Sequence, residues 1–315
     1  MKTKPLYVTA ILLAITVILT SFTMLTSSKE TDRGRLNVTA SFYPIYIAAL
    51  NITQGVDSTE LNSLSQPSTG CLHDYQLTPE DMIALEKTDL FLINGGGMEG
   101  YLDHVTASIP NLNIIDTSAG VVMLPSSEGH EHEEIHFHEE QESEAWNAHI
   151  WMDPERYSAI IDNIAKALAQ ADPANERQYY ENAKEYQNKI AVLFEPAKEL
   201  FFGKNIHSIT FHESLDYLCE YLGLHVVHGT TIEAETSLSA AEISEIIEEA
   251  KEENAAILLA DMQYSLSVPS AVSKETKIPY LALDSCVTGD GTADSYLSAM
   301  QNNLTALKEV FSNGK

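Results

Sequence analysis

The chain has 315 residues, 44% of them hydrophobic and 20% charged, a balance that suits a globular protein with room for two domains and excludes disorder over most of its length. Its formal net charge of -28 excludes nucleic acid and anionic lipid as partners, because both demand a positive surface, and it concentrates cations around the molecule. Three cysteines, Cys71, Cys219 and Cys286, are too few and too dispersed for a disulfide scaffold or a thiolate zinc site.

The N-terminus pairs Lys2 and Lys4 with an uncharged stretch reaching Ser28, which reads as an export signal or, uncleaved, a membrane anchor over 1–28. A polar linker, 29–35, follows. LNVTAS (36–41) predicts a buried strand and YPIYIAALNI a helix introduced by Pro44; 59–65 is a weak strand. A turn-rich loop carrying His73 runs into a helix capped by Thr78, with Pro79 at its first position and Asp81 at its third. Strands are predicted at 89–94 and 112–116, with a helix from near Glu99 between them.

After the segment around His149, Asp153-Pro154 predicts the N-cap and first residue of a helix to about Ala171. A second helix, from Ala174 to about Phe201, carries a seam of Tyr179, Ala183, Tyr186, Ile190, Leu193, Ala197 and Leu200, and Pro196 is expected to kink or end its regular part. At ~1.5 Å per residue it reaches about 40 Å, enough to run along two domains. Beyond Gly203 the alternation restarts, with strands at 206–211, 224–227, 255–260 and 279–283, helices at 213–222, 239–253 and 268–276, and a last helix from Ala293. Strands alternating with helices imply parallel sheets with helices on both faces. The expected fold is α/β, with two doubly wound parallel-sheet domains, 36–171 and 204–315, joined by one long helix over 172–203.

The stretch 128–153 combines two settings for histidine. Eight glutamates between Glu128 and Glu144, with no lysine or arginine, surround His130, His132, His136 and His138, the composition of a solvated loop (126–145) whose imidazoles bind metal weakly. His149 instead sits among Trp146, Ile150, Trp151 and Met152, on a packed frame.

His212 follows directly on strand 206–211 and Asp284 on strand 279–283. Carboxyl ends of strands in open parallel sheets are where ligands bind, so both point to a crevice rim. With His73 and His149 they make four candidate ligands, two per domain, able to meet between the domains. Three imidazoles and a carboxylate match the preferences of Zn2+, with Mn2+ as the alternative cation. His225 and His228 stand close enough to face the same crevice, whereas His104 and His207 are expected to face solvent or pack; these four stay outside the set. Cys71 and Cys286, each two residues from a candidate ligand, read as ordinary buried thiols.

The motifs SFYPIY, HDYQLTPEDM, LINGGGMEGYL, HIWMDP, ITFHESLDYLCEYLGL and ALDS together resemble the solute-binding proteins of zinc and manganese ABC importers, and specifically their zinc branch, over about residues 36–313. The resemblance implies two α/β domains joined by one long helix, with a metal held in the cleft between them and handed to a membrane permease with its cytoplasmic ATPase. It places the ligands at His73, His149, His212 and Asp284. The manganese branch has a carboxylate where His212 stands, so histidine there implies zinc. The chain departs from the family at Cys71-Leu72, before the first histidine, and at Thr236, where proline is usual. The protein is then an exported, extracytoplasmic monomer, free or held by its N-terminal segment, and not an enzyme.

Two other readings use the same residues. A surface adhesin or zinc store shares the cleft. A zinc hydrolase is disfavoured because His212-Glu213 is followed by Asp216 rather than a second histidine, and because Asp284 takes the place a catalytic water needs.

Overall fold

The computed structural model describes residues 34–66, 75–126, 146–230 and 238–313. Its first half is built on β1 (Leu36–Ala40), α1 (Tyr43–Ile52), β2 (Thr59–Ser63), α2 (Pro79–Leu85), β3 (Leu90–Ile93), α3 (Leu102–Ser108) and β4 (Ile114–Asp116). All four strands are parallel, in the order β2-β1-β3-β4. The central strand β3, LFLI, is buried at every position, as a strand covered on both faces must be. The edge strand β2, TELNS, is partly exposed throughout, which is why its pattern is weak in sequence.

Two helices lead out of this sheet. α4 (Pro154–Ala171) starts as the sequence predicts: the Asp153 carboxylate accepts from the backbone of Glu155 at 2.7 Å and Arg156 at 3.0 Å, and Pro154 takes the first position. The 26-residue α5 (Glu176–Phe201) buries Tyr179, Ala183, Tyr186 and Ile190 as expected. Over its last turns the buried positions become Phe194 and Phe201, with Leu193, Ala197 and Leu200 only partly covered. Pro196 does not end the helix. It lies on the exposed face, and the carbonyl it leaves without a donor belongs to Val192, whose side chain is 77% exposed, so water can reach it.

The second half repeats the plan with β5 (Ile206–Thr210), α6 (Asp216–Leu222), β6 (Leu224–Gly229), α7 (Ala240–Glu252), β7 (Ile257–Asp261), α8 (Ser267–Thr276), β8 (Tyr280–Leu283) and α9 (Ser295–Asn313). Its sheet is again all parallel, in the order β6-β5-β7-β8. Both halves therefore reverse direction between their first and third strands, and such a switch point opens a crevice at the carboxyl ends. The start of α2 is capped as read: Thr78 and Asp81 exchange capping-box bonds there.

The helix expected from near Glu99 starts three residues later, as α3 at Leu102. Glu99 folds back instead, its carboxylate accepting from the backbone of Asn94 at 2.7 Å and Gly95 at 3.1 Å. It thereby ties down the loop after β3, where Gly95 has a φ of +84° and any Cβ would collide with the Asp116 carboxylate.

The larger of two core clusters runs through both halves, and a smaller one, including Ile209, Phe211, Ile246 and Val272, lies within the second. α5 packs on α1 and α4 of the first and on α6 and α9 of the second. α9 reaches back across: the Tyr43 hydroxyl pairs with Ser295 Oγ at 2.6 Å, Tyr296 lies tilted by 42° against Tyr157 with centroids 4.5 Å apart, and its hydroxyl donates to the Trp151 carbonyl at 2.9 Å. Cys219 and Cys286 are free buried thiols, Cys286 lying within this seam. No described helix is long and apolar enough to cross a membrane; residues 1–28 lie outside the described residues.

Candidate metal centre

His149 ends the segment that returns from the acidic loop, just before a 3-10 turn over Ile150–Met152 whose three side chains are fully buried. Trp146, expected to pack beside it, is instead 46% exposed, in an isolated bridge with Pro125. The His149 ring is held by Asn147, whose side-chain oxygen accepts from both the backbone N–H and Nδ1 of His149 at 3.0 Å. The Asn147 amide nitrogen donates to the Glu213 carbonyl at 2.8 Å, which fixes its oxygen as the acceptor. His149 therefore carries its proton on Nδ1, and Nε2 is the nitrogen with the lone pair a metal needs. The Glu213 carboxylate, from the second half, stands 3.6 Å from the same Nδ1 and is held by the Ser126 hydroxyl at 2.7 Å. Ser126, assigned to the loop from sequence, is thus a buried part of this frame.

His212 lies immediately beyond β5, after Phe211, at the switch point of the second sheet. Its ring is 2% exposed, stacks on Tyr264 with centroids 4.5 Å apart, and meets the His149 ring edge to face with centroids 5.2 Å apart. Nδ1 accepts from the Ser214 backbone at 3.1 Å. With Nδ1 accepting, the proton of the neutral ring lies on Nε2; ligation through Nε2 would move it to Nδ1, replacing the Ser214 contact, with the Asp261 carboxylate 4.0 Å away to receive it.

Asp284 follows β8, its Oδ1 accepting from the Cys286 backbone at 2.8 Å, while Asn303 donates to the Asp284 carbonyl at 2.8 Å. Burial pushes the Asp284 carboxyl above the usual range. Burial also pushes Asp261 up to about 6, against hydrogen bonds from Gln263 and Ser214, and the negative charge of Asp284 nearby acts in the same direction. Among the described residues neither carboxylate forms an ion pair with lysine or arginine, so this rim is a desolvated negative surface beside two imidazoles.

The structure thus brings His149 and His212 into contact and sets Asp261 and Asp284 at the same carboxyl edge. His73 and the loop histidines His130, His132, His136 and His138 lie outside the described residues, as do Cys71 and Thr236. Among the described residues no cluster of three or more His, Cys, Asp and Glu side chains is arranged to hold an ion. His228 is paired with the Glu249 carboxylate. His225 stands beside His207 at the amino end of the second sheet, on the side opposite the crevice. Asn147, Glu213 and Asp261 were missed by sequence reasoning. For Asp261 the signal existed: it ends a strand on the same edge as Asp284 follows one.

A family model described as zinc-uptake complex component A, periplasmic (ZnuA), matches residues 38–310. Among curated relatives, the iron-binding protein YfeA of Yersinia pestis is 28% identical over 88% of this chain and 86% of its own length. The high-affinity zinc uptake system protein ZnuA of Bacillus subtilis is 26% identical over 90% and 89%. The zinc-binding lipoprotein AdcA of Streptococcus pneumoniae is 24% identical over 92% of this chain, which spans only 58% of AdcA. Among solved structures, the solute-binding protein FpvC of Pseudomonas aeruginosa in complex with Mn2+ superposes with a TM-score of 0.76 at 20% identity, covering 89% of this chain and all of FpvC. That likeness is one of fold.

Proposed function

The chain belongs to the zinc-uptake complex component A family, and from that premise we propose that it captures Zn2+ outside the cytoplasm and delivers it to an ABC-type permease driven by a cytoplasmic ATPase. The observation that carries the metal assignment is the contact between His149 and His212, contributed by different halves and both buried. The proposed ligands are His73, His149, His212 and Asp284. Three neutral imidazoles and one carboxylate fill a tetrahedral shell, which suits zinc and leaves no position for a catalytic water, so the protein carries its ion rather than using it.

Each half supplies part of the shell, with Asn147 orienting His149 and Tyr264 stacked on His212. The protein's own contribution is a cleft with excess negative charge, which attracts a dication, and imidazole nitrogen to hold it. The domains are taken as 36–171 and 204–315 with the helical connection over 172–203, in a monomer that is either released or tethered by residues 1–28. The histidines of the acidic loop bind more weakly than the cleft, because ordering a loop costs ~1 to 2 kcal/mol of backbone entropy per residue.

Calorimetric titration of zinc tests this. The parent is expected to show one tight phase and weaker ones. His149→Ala, His212→Ala, His73→Ala and Asp284→Asn each lose or weaken the tight phase, and deletion of 127–141 removes only the weak ones. Loss of the tight phase in the loop deletion, with retention in the four cleft variants, overturns the assignment.

A further inference from the structure

His207 and His225 occupy directly paired positions of the parallel strands β5 and β6. Neighbouring parallel strands run ~4.8 Å apart and paired residues share a face, so the sheet itself fixes the two imidazoles side by side. Their ring centroids are 5.3 Å apart and the planes are inclined by 59°, close to the 5.2 Å of the His149 and His212 pair in the cleft. His207 Nδ1 donates to the Glu253 carbonyl at 2.6 Å, which assigns its proton to Nδ1 and makes Nε2 the lone-pair nitrogen. A backbone carbonyl in that role is the usual support of a metal-binding histidine, raising its basicity and setting its rotation. The Glu253 carboxylate adds negative charge 3.9 Å from the same Nδ1. Both rings open into a surface cavity of about 500 Å³, completed by Phe202, Gly203, Asn205 and Gly223, with no lysine or arginine in its lining.

We propose that His207 and His225 form a second divalent-cation site, at the end of the second sheet opposite the cleft, for ions of the imidazole-binding class such as zinc, nickel and copper. Two ring nitrogens hold the ion and water completes its shell. With two protein ligands in place of four, and His225 exposed, it is the weaker of the two sites. It is also separate from the acidic loop, because both histidines sit on strands whose geometry exists before the ion arrives. The neighbouring His228 takes no part, being held by Glu249.

The test uses the full chain, first given one equivalent of zinc, then exposed to diethylpyrocarbonate at rising concentrations of Ni2+, with carbethoxylation of each histidine read by mass spectrometry. His207 and His225 are expected to become protected together. A dissociation constant of ~0.1 mM would slow their modification about tenfold at 1 mM nickel, by simple mass action. In His225→Ala, whose substitution is at an exposed position, the protection of His207 falls below about twofold at the same nickel concentration on the same mass-action scale. Unchanged reactivity of His207 and His225 across the nickel range overturns the proposal, and so does equal protection of His207 in parent and His225→Ala. Because the readout is specific to these two residues, it is independent of whether the cleft binds zinc.

Discussion

The imidazole of His149 meets the imidazole of His212 edge to face, with 5.2 Å between their centroids, although the whole of α4, α5 and β5 lies between them in the chain. Each is held by a partner from its own segment, Asn147 for one and Ser214 for the other, while Glu213 of the second half braces the first. The meeting point is therefore built by two halves that share one core, and its rigidity depends on that shared core.

If the core is common, the halves do not unfold separately. Tyr296 lies against Tyr157 and donates to the Trp151 carbonyl, and the Trp151 indole donates to the Ser285 carbonyl at 2.7 Å. Tyr296→Ala is expected to destabilise the metal-free protein by ~3 to 5 kcal/mol, the range for a large buried aromatic. The parent should unfold in one transition, with tryptophan fluorescence and far-ultraviolet circular dichroism coinciding. Two separated transitions would show that the halves are independent.

Glu99 is a buried carboxylate satisfying two backbone N–H groups of the loop after β3. Burial raises its pKa, against the hydrogen bonds it accepts. Glu99→Ala leaves both donors without that acceptor, at ~1 to 3 kcal/mol for each buried group. Urea denaturation is expected to show a lower midpoint for Glu99→Ala than for Glu99→Gln, whose side-chain oxygen still accepts one bond. Equal midpoints would mean that water replaces the carboxylate at no loss.

These residues mark where the sequence was legible and where it was not. The Thr78 and Asp81 capping box and the Asp153-Pro154 start are local chemistry, visible within four residues, and the apolar runs of β3 and β7 announce themselves. Glu99 looks like a helix start because its neighbours have helical composition, and only the turn through Gly95, Gly96 and Gly97 brings its carboxylate back onto Asn94. Glu213 reads as a helix residue after His212, and its contact with His149 depends on how the two halves dock. The strand-end rule found His212 and Asp284 and passed over Asp261 because AAILLA was closed one residue early. Likewise the α5 seam follows its predicted spacing where it faces α1 and α4, then shifts to Phe194 and Phe201 where it meets Tyr221 and Phe311, a change of neighbour that periodicity cannot contain.

Asp216, at the start of α6, gives the metal-free fold a pH dependence. Burial pushes its carboxyl up to about 7, opposed by the Thr210 hydroxyl, which donates to it at 2.9 Å, and assisted by the charge of Glu213. Its folded pKa lies above the ~3.9 of an unfolded aspartate, so the folded state binds the extra proton. The contribution is fully present below about pH 4 and is lost as pH rises through about 7, at up to ~1.4 kcal/mol per unit. Asp216→Asn keeps the neutral shape and removes the slope. Urea denaturation of metal-free parent and variant at pH 4.5, 6 and 7.5 should show the variant gaining relative stability as pH rises; parallel curves would refute the assignment.

His212 is the residue on which the choice of metal rests. Imidazole nitrogen suits zinc and carboxylate oxygen suits manganese, while intrinsic affinities of divalent ions ordinarily favour zinc, so manganese gains only through a change of ligand type. His212→Glu is expected to weaken zinc and narrow its lead over manganese. His212→Ala weakens zinc by deleting a ligand and brings no gain for manganese. Both substitutions also remove the stack on Tyr264, so each variant needs a thermal denaturation curve without metal to separate lost packing from lost ligation. If His212 served only to cap the turn at Ser214, both variants would lose stability and keep the parent's ratio of affinities. Loss of one ligand should instead lower zinc affinity by well over the ~10- to 100-fold that removal of a mere supporting group costs. Competition titrations of parent and both variants with zinc and manganese, with 127–141 deleted so that the loop histidines do not contribute, distinguish the two. An unchanged zinc-to-manganese ratio in His212→Glu would take His212 out of the centre, and with it the reason for reading the site as one built for zinc.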